Sequence, residues 1–409
     1  MDILAKYDSL AERREIMLQA GDNPFGLRME KVLSPTDALV NGKRTLLVGT
    51  NNYLGLTFDP DCIAAGIKAL QEQGTGTTGS RIANGSYALH EELEEALGRY
   101  LKRDHTIVWP TGYQANLGVI AGLAGPGDTI LLDADSHSSI YDGCRLSGAT
   151  LIRFRHNDPE DLDKRLARLR RQKEAGSPDA QGAVLVIVEG IYSMLGDIAP
   201  LEAFVEVKDR HGAFLLVDEA HSLGVMGETG RGVAEAQGVE AQVDFIAGTF
   251  SKSLGAIGGF GASNHPHFER LRYCSRPYMF TASASPASIA TVTAAVKRIE
   301  EEPGLIRKLW QNAEALHGGL SEKGFEIASP VSPVVAVRLP DEKTAVAFWN
   351  ALLQAGIYVN LAVPPGTPNN ICLMRCSVSA AHTLEQIERV VQTFVDVREA
   401  LKAGAAAGN

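Results

Sequence analysis

Five short segments concentrate the side chains able to do chemistry, and each lies where a loop leaves an apolar run. Gly248-Thr249-Phe250-Ser251-Lys252-Ser253-Leu254-Gly255 sets one amine among hydroxyls and glycines. A lysine in a tight loop after a buried strand can form an imine with a carbonyl compound or hold a phosphate. Phe214-Leu215-Leu216-Val217 runs into Asp218, Glu219, Ala220 and His221. A carboxylate at the end of a buried strand sits in low dielectric, which is costly unless a cation meets it. That cation is a protein arginine, a metal or a cationic ligand, and His221 can reach the same ligand. Asp133-Ala134-Asp135-Ser136-His137-Ser138-Ser139 places His137 either to stack on a flat ring or to cap the next helix. Pro110-Thr111-Gly112-Tyr113-Gln114-Ala115-Asn116 opens an apolar helix whose first N–H groups suit a phosphate or an ordinary cap. Glu189-Gly190-Ile191-Tyr192-Ser193-Met194-Leu195-Gly196-Asp197 brings polar groups that either contact a ligand or make the turn.

Taken together, the segments ask for one ligand. It carries a phosphate, a flat ring for His137, a ring nitrogen for Asp218 and an aldehyde for Lys252. Pyridoxal 5'-phosphate meets all four demands.

These segments need a scaffold that brings strand ends together. From about residue 105 the apolar runs Thr106–Trp109, Thr129–Asp133, Thr150–Phe154, Ala183–Glu189, Ala213–Val217 and Asp244–Ala247 alternate with helix-length stretches. Such alternation predicts an α/β fold with a mostly parallel sheet covered on both faces. In open sheets of this kind ligands bind at the carboxyl ends of the strands. Residues 1–21 read as a lone helix, Thr45–Val48 as a short strand, and Cys62–Gln73 and Ala88–Leu101 as helices. Ser285 and Pro286 read as the N-cap and first residue of a long helix that crosses to a second unit. Residues 303–400 read as α+β, and the tail Ala403–Asn409 as frayed. The expected division is an N-terminal helix and arm over 1–55, a large domain over 56–290 and a C-terminal α+β domain over 291–409. Gly176–Asp179 reads as an exposed loop.

The 409 residues are 45% apolar and 22% charged, which excludes disorder for most of the chain. A net charge of −10 excludes a basic footprint for nucleic acid. Five scattered cysteines form no disulfide or zinc pattern, so a reducing compartment, the cytoplasm, is expected, with no bound metal. The opening helix carries acids, unlike a signal or transit peptide, and no apolar run reaches the length of a spanning helix. Peripheral membrane contact stays open. Gly74-Thr75-Gly76-Thr77-Thr78-Gly79 matches a dinucleotide fingerprint but follows a helical segment rather than a strand. Asp218-Glu219-Ala220-His221 spells a helicase motif, yet the chain has no phosphate-binding loop to accompany it.

The motifs Asn52-Tyr53-Leu54-Gly55, Gly112-Tyr113, Asp135-Ser136-His137, Asp218-Glu219-Ala220-His221 and Thr249-Phe250-Ser251-Lys252 stand in one order over nearly the whole chain. In that order they resemble the α-oxoamine synthases, a family of fold-type I pyridoxal-phosphate enzymes with an aspartate aminotransferase-like fold. That family joins an amino acid to an acyl-CoA with loss of carbon dioxide. Gly76–Arg81, Asn84-Gly85-Ser86, Arg276–Ser283 and Met374-Arg375-Cys376-Ser377 are similar to the branch that uses L-serine and a long-chain acyl-CoA. The oxononanoate synthases are the alternative branch. A non-catalytic partner subunit, which would lack the lysine, is a further reading that Lys252 argues against. The resemblance implies that Lys252 holds the cofactor and serves as base and acid at the substrate Cα. It implies that Asp218 keeps the pyridine nitrogen protonated, that His137 stacks on the ring and that His221 bonds its phenolic oxygen. Gly112, Tyr113, Thr249 and Ser251 are then phosphate ligands, and Ser193 lies close to the ring. Thr281 or Ser283 reaches the phosphate of a neighbouring subunit in a homodimer with shared sites. Arg375, at the end of the apolar strand Ile371–Met374, is expected to bind the substrate carboxylate, with Asn52 and Arg81 also at the substrate. Val363 stands where relatives can carry an arginine before Pro364-Pro365, which leaves Arg375 to carry more of that task.

Overall fold

The computed structural model describes residues 2–19, 21–177 and 181–407, and the chain divides into two compact units. The larger unit comprises Asn52–Ser193 and Asp197–Arg307; the smaller comprises the residues up to Asn51, Met194–Gly196 and Lys308–Asn409. Pro178 and Asp179 of the expected loop lie outside the described residues, as do Met1, Ala20, Gly408 and Asn409.

The larger unit is built on a seven-stranded sheet. Its order is His105–Trp109, Gly259–Ser263, Phe245–Thr249, Phe214–Asp218, Val184–Glu189, Thr129–Asp133 and Thr150–Phe154. Gly259–Ser263 is antiparallel to both neighbours, and the remaining pairs are parallel. The central strands read as continuous apolar runs because helices cover both faces, and Leu185 through Glu189 are all buried. Register places Glu189 opposite Asp218, and Asp218 opposite Ala247. Parallel pairing therefore brings Asp133, Glu189, Asp218 and Thr249 to one edge of the sheet.

The helices that flank this edge start where side chains satisfy their first N–H groups. Thr111 caps Gly112–Leu123 by accepting from Gln114 N at 3.1 Å, and His137 caps Ser138–Ser147 by accepting from Ser139 N at 3.2 Å. Ser285 caps Pro286–Glu301 as expected, accepting from Ser288 N at 3.3 Å. That helix does not leave the larger unit. It packs on Pro60–Gln73 and Ala88–Leu101, with Gly66 so close that a Cβ there would lie 2.8 Å from Thr291 Oγ1. The units accordingly divide at Arg307, beyond the expected boundary at residue 290.

In the smaller unit Lys31–Ser34, Asp37–Val40 and Lys43–Leu47 form an antiparallel meander, joined in parallel by Ile357–Tyr358. Only the last of the three meander strands was expected. Val32 and Leu33 are exposed, so their strand carries no apolar alternation to reveal it. A second sheet centres on Cys372–Ser377, between Val334–Leu339 and Asn360–Ala362. His382 ties this unit together, accepting from Ser379 N at 2.9 Å and bonding Leu47 O at 3.0 Å; burial pushes it down to about 4. The final helix, Leu384–Ala407, continues through most of the tail expected to be frayed. Among the described residues no helix is long and apolar enough to cross a membrane.

Candidate active site

Asp218 closes its strand with its side chain buried, 4% exposed. Its oxygens accept from neutral donors, Asn116 Nδ2 at 2.7 Å and Ala220 N at 2.9 Å. A buried carboxylate met by neutral donors is complementary to a cationic ligand group. Asn116 Nδ2 also reaches Ser139 Oγ at 2.9 Å, and Ser139 Oγ meets His137 Nδ1 at 2.7 Å. Burial pushes His137 below its ordinary value, with Asp218 opposing and Lys252 assisting. His221, also buried, meets Tyr53 Oη through Nδ1 at 2.7 Å.

The expected phosphate ligands gather at the start of the Gly112–Leu123 helix. A Cβ on Gly112 would lie 2.6 Å from Thr249 Cβ, so only glycine lets the helix terminus approach that strand end. Thr249 Oγ1 lies 2.9 Å from Ser251 Oγ, setting two hydroxyls beside the N–H groups of the terminus. Tyr113 is 41% exposed, presents its ring edge to His137 and donates its hydroxyl to Asp142. Lys252 sits in the turn that follows, its carbonyl accepting from Gly255 N at 3.0 Å. Gly255 takes φ of 65°, the left-handed conformation that closes this turn.

Two residues without an expected role support the loop that carries His137. Glu189 accepts the His137 N–H at 2.5 Å. Burial, reinforced by the charge of Asp218, holds its carboxyl well above the ordinary range. His156 lies between two carboxylates, with Nδ1 2.8 Å from Asp133 and Nε2 2.6 Å from Asp197. Burial works against the imidazolium, but the hydrogen bonds and charges of both aspartates outweigh it and raise His156 to about 10. The folded-state value lies above the ordinary 6.5, so this stabilisation is complete below that pH and is lost as pH climbs through about 10. His156→Gln is expected to destabilise the protein by about 2–4 kcal/mol near pH 6, with a smaller deficit above pH 10. Urea unfolding of both proteins at the two pH values checks this, and a pH-independent deficit would contradict it.

The remaining expected residues divide. Arg375 does not project from a strand end. The strand is paired on both sides up to Arg375 and continues through Ser377 against Val334–Leu339, and Arg375 is buried within it. Its guanidinium donates to Ser377 Oγ at 2.9 Å and to Asn51 Oδ1 at 3.3 Å. Asn52 is buried and donates to Thr57 Oγ1 at 2.8 Å, while its Oδ1 has no partner among the described residues. Arg81, expected at the substrate, is instead engaged in the interior. It forks onto Glu94 at 2.8 and 3.3 Å, donates to Ser86 Oγ at 2.9 Å and lies over the Tyr278 ring. Glu94 also accepts Arg272 at 3.0 and 3.2 Å and Val108 N at 2.9 Å. Thr281 Oγ1 accepts from Gln114 Nε2 at 3.3 Å, beside the helix terminus. Ser283 turns its hydroxyl to Gly85 O and Thr77 Oγ1, both at 2.6 Å, so it secures the Gly-rich loop. Ser193 directly follows buried Tyr192 at the turn after Val184–Glu189.

Residues 43–394 match the family described as aminotransferase class I and II. The chain belongs to that family. Among its members, the serine palmitoyltransferase of Caulobacter vibrioides is 55% identical over 401 residues, covering 98% of this chain and 97% of the relative. The solved serine palmitoyltransferase of Sphingomonas wittichii is 51% identical, with a TM-score of 0.94 over 98% of this chain and 100% of the other. A high-resolution structure of serine palmitoyltransferase with a pyridoxal phosphate internal aldimine has the same TM-score at 50% identity and the same coverage. This is the fold-type I, aspartate aminotransferase-like fold, and pyridoxal phosphate is the cofactor of this aminotransferase-family chain.

The residues present fit that cofactor. Asp218 is a buried carboxylate whose donors among the described residues, Asn116 Nδ2 and Ala220 N, are neutral, which makes it complementary to a protonated ring nitrogen. The close approach of Gly112 to Thr249 leaves a helix terminus open to a phosphate. Among the described residues Asn116 Oδ1 and Ser253 Oγ are buried without hydrogen-bond partners, as at a site shaped for an additional polar molecule.

Proposed function

We propose that the protein condenses L-serine with a long-chain acyl-CoA of palmitoyl length, giving 3-ketodihydrosphingosine, CoA and carbon dioxide, the first step of sphingolipid biosynthesis. The observation that carries this reading is near full-length likeness to enzymes named serine palmitoyltransferase, in a chain that keeps Lys252, Asp218, His137 and His221.

Pyridoxal phosphate, when bound, supplies an electron sink for the pair released at the serine Cα. Lys252 is the residue that holds it, and its amine then takes the Cα proton and returns one. Asp218 keeps the ring nitrogen charged, His137 covers the ring face and His221 bonds the phenolic oxygen, itself oriented by Tyr53. The Gly112 and Tyr113 N–H groups with the Thr249 and Ser251 hydroxyls hold the phosphate, and Ser193 lies near the ring. Thr281 and Ser283 are assigned to the subunit interface of a homodimer with shared sites, and Asn52 to the substrate. Among the described residues none of the five cysteines is in a disulfide, which supports a cytoplasmic setting. Peripheral contact with a membrane suits the lipid product.

Arg375 is assigned to the serine carboxylate, because a guanidinium matches a carboxylate in two parallel hydrogen bonds. Asn51 and Ser377 fix its orientation. Arg375→Ala is expected to weaken apparent serine affinity by about 2–4 kcal/mol, roughly thirty- to nine-hundred-fold, with the resting cofactor spectrum unchanged. Titration of both proteins with serine, glycine and alanine, followed by turnover with acyl-CoA of graded length, tests residue and function together. Unaltered serine binding would return Arg375 to a structural role. Turnover with alanine and a short dicarboxylic acyl-CoA instead of serine and a long chain would overturn the proposed function.

A further inference from the structure

Three buried groups and the exposed His137 form one continuous hydrogen-bonded chain across three elements of the sheet edge. Asp218 ends a strand, Asn116 lies one turn into the Gly112–Leu123 helix, and Ser139 and His137 belong to the start of Ser138–Ser147. Asp218, Asn116 and Ser139 are 4%, 5% and 1% exposed, so water does not substitute for their contacts. We propose that Asn116 and Ser139 are positioning residues that join Asp218 to His137 and hold His137 as the neutral tautomer protonated on Nε2.

The direction of each hydrogen bond follows from donor inventory. The Asn116 amide must face Asp218 with Nδ2, because its Oδ1 would meet a carboxylate oxygen at 2.7 Å without a proton between them. The second Nδ2 hydrogen then points to Ser139 Oγ at 2.9 Å. Having accepted there, the Ser139 hydroxyl has its one hydrogen left for His137 Nδ1 at 2.7 Å. The Ser139 N–H converges on the same Nδ1 at 3.2 Å. Two donors on one ring nitrogen require it to carry a lone pair, so the ring proton resides on Nε2. The charged or titratable groups around the ring are Asp218 and Lys252, with Glu189 on its backbone and the Tyr113 ring edge-on. The lowered pKa of His137 agrees with a neutral ring. The relay thus sets where His137 offers a hydrogen bond, and does so from the carboxylate assigned to the cofactor nitrogen. This consequence for catalysis rests on the proposed function; the tautomer itself does not.

The test is ¹⁵N spectroscopy of histidine-labelled holoenzyme, with the His137 signals identified by their loss in His137→Gln. Wild type is expected to show an unprotonated Nδ1 and a protonated Nε2 from about pH 6 to 9, a span that begins below the ordinary histidine value of 6.5. Ser139→Ala, which keeps the backbone N–H on Nδ1, and Asn116→Leu are expected to move the Nδ1 signal toward a weaker hydrogen bond and to lower kcat roughly tenfold, with less than about a twofold change in serine KM. Ser139→Thr, which keeps the hydroxyl, is expected to restore the wild-type signature. A protonated Nδ1 in wild type, or an unchanged Nδ1 signal in Ser139→Ala, overturns the relay. Wild-type signals as expected together with no turnover of serine and acyl-CoA would overturn the proposed function and leave the relay standing.

Discussion

Lys252→Ala is expected to lower turnover by roughly 10⁴-fold or more, since one amine both anchors the cofactor and moves the Cα proton. The turn that presents it is closed by Gly255 N to Lys252 O at 3.0 Å, a backbone contact that alanine leaves intact. Lys252 is partly exposed, so truncation opens no core cavity. The variant should therefore fold normally and lose both activity and the covalent linkage that borohydride traps in wild type. Intact-mass measurement after borohydride treatment, beside product assay, separates this from a folding defect. A variant turning over near the wild-type rate would remove Lys252 from the chemistry.

Asp218→Asn should lower turnover by roughly 10²–10³-fold, the scale of removing one preorganised electrostatic partner from a developing charge. Shape is conserved, and the site remains buried, so the change removes the carboxylate's charge together with one accepted hydrogen bond. Asn116 Nδ2 and Ala220 N donate to different oxygens of Asp218, so an amide can accept from only one of them and turns its NH2, uncharged, toward the other. Cofactor affinity should fall in parallel, read by equilibrium dialysis. A full complement of tightly held cofactor with unimpaired turnover would show that Asp218 does not face the ring nitrogen.

Much of this edge was legible in the sequence because local signals carry it. Buried parallel strands are apolar throughout, so Val184–Glu189 and Phe214–Asp218 announce both themselves and the polar residue that ends them. The cap at Ser285 and Pro286 is equally local. What stayed hidden depends on partners distant in sequence. Arg375 looked terminal because Arg-Cys-Ser does not read as strand, and only pairing with Val334–Leu339 and Asn360–Ala362 extends the ladder through it. Arg81 was placed at the substrate by resemblance alone, and its pairing with Glu94 is a contact that neither residue announces in the sequence. Asn116 was visible as a polar residue in an apolar helix, i+4 from Gly112, but Asp218 stands 102 positions away.

Glu94 deserves to be seen as a constraint on how this sequence can drift. One carboxylate joins the Gly-rich loop through Arg81, the Leu271–Cys274 segment through Arg272 and the edge strand His105–Trp109 through Val108 N. Losing it alone would leave two guanidinium groups facing each other in the interior, while losing either arginine alone leaves a carboxylate still matched by the other. The three positions are therefore strongly epistatic and unequal: either arginine can be the first to change, and the glutamate can follow only after both.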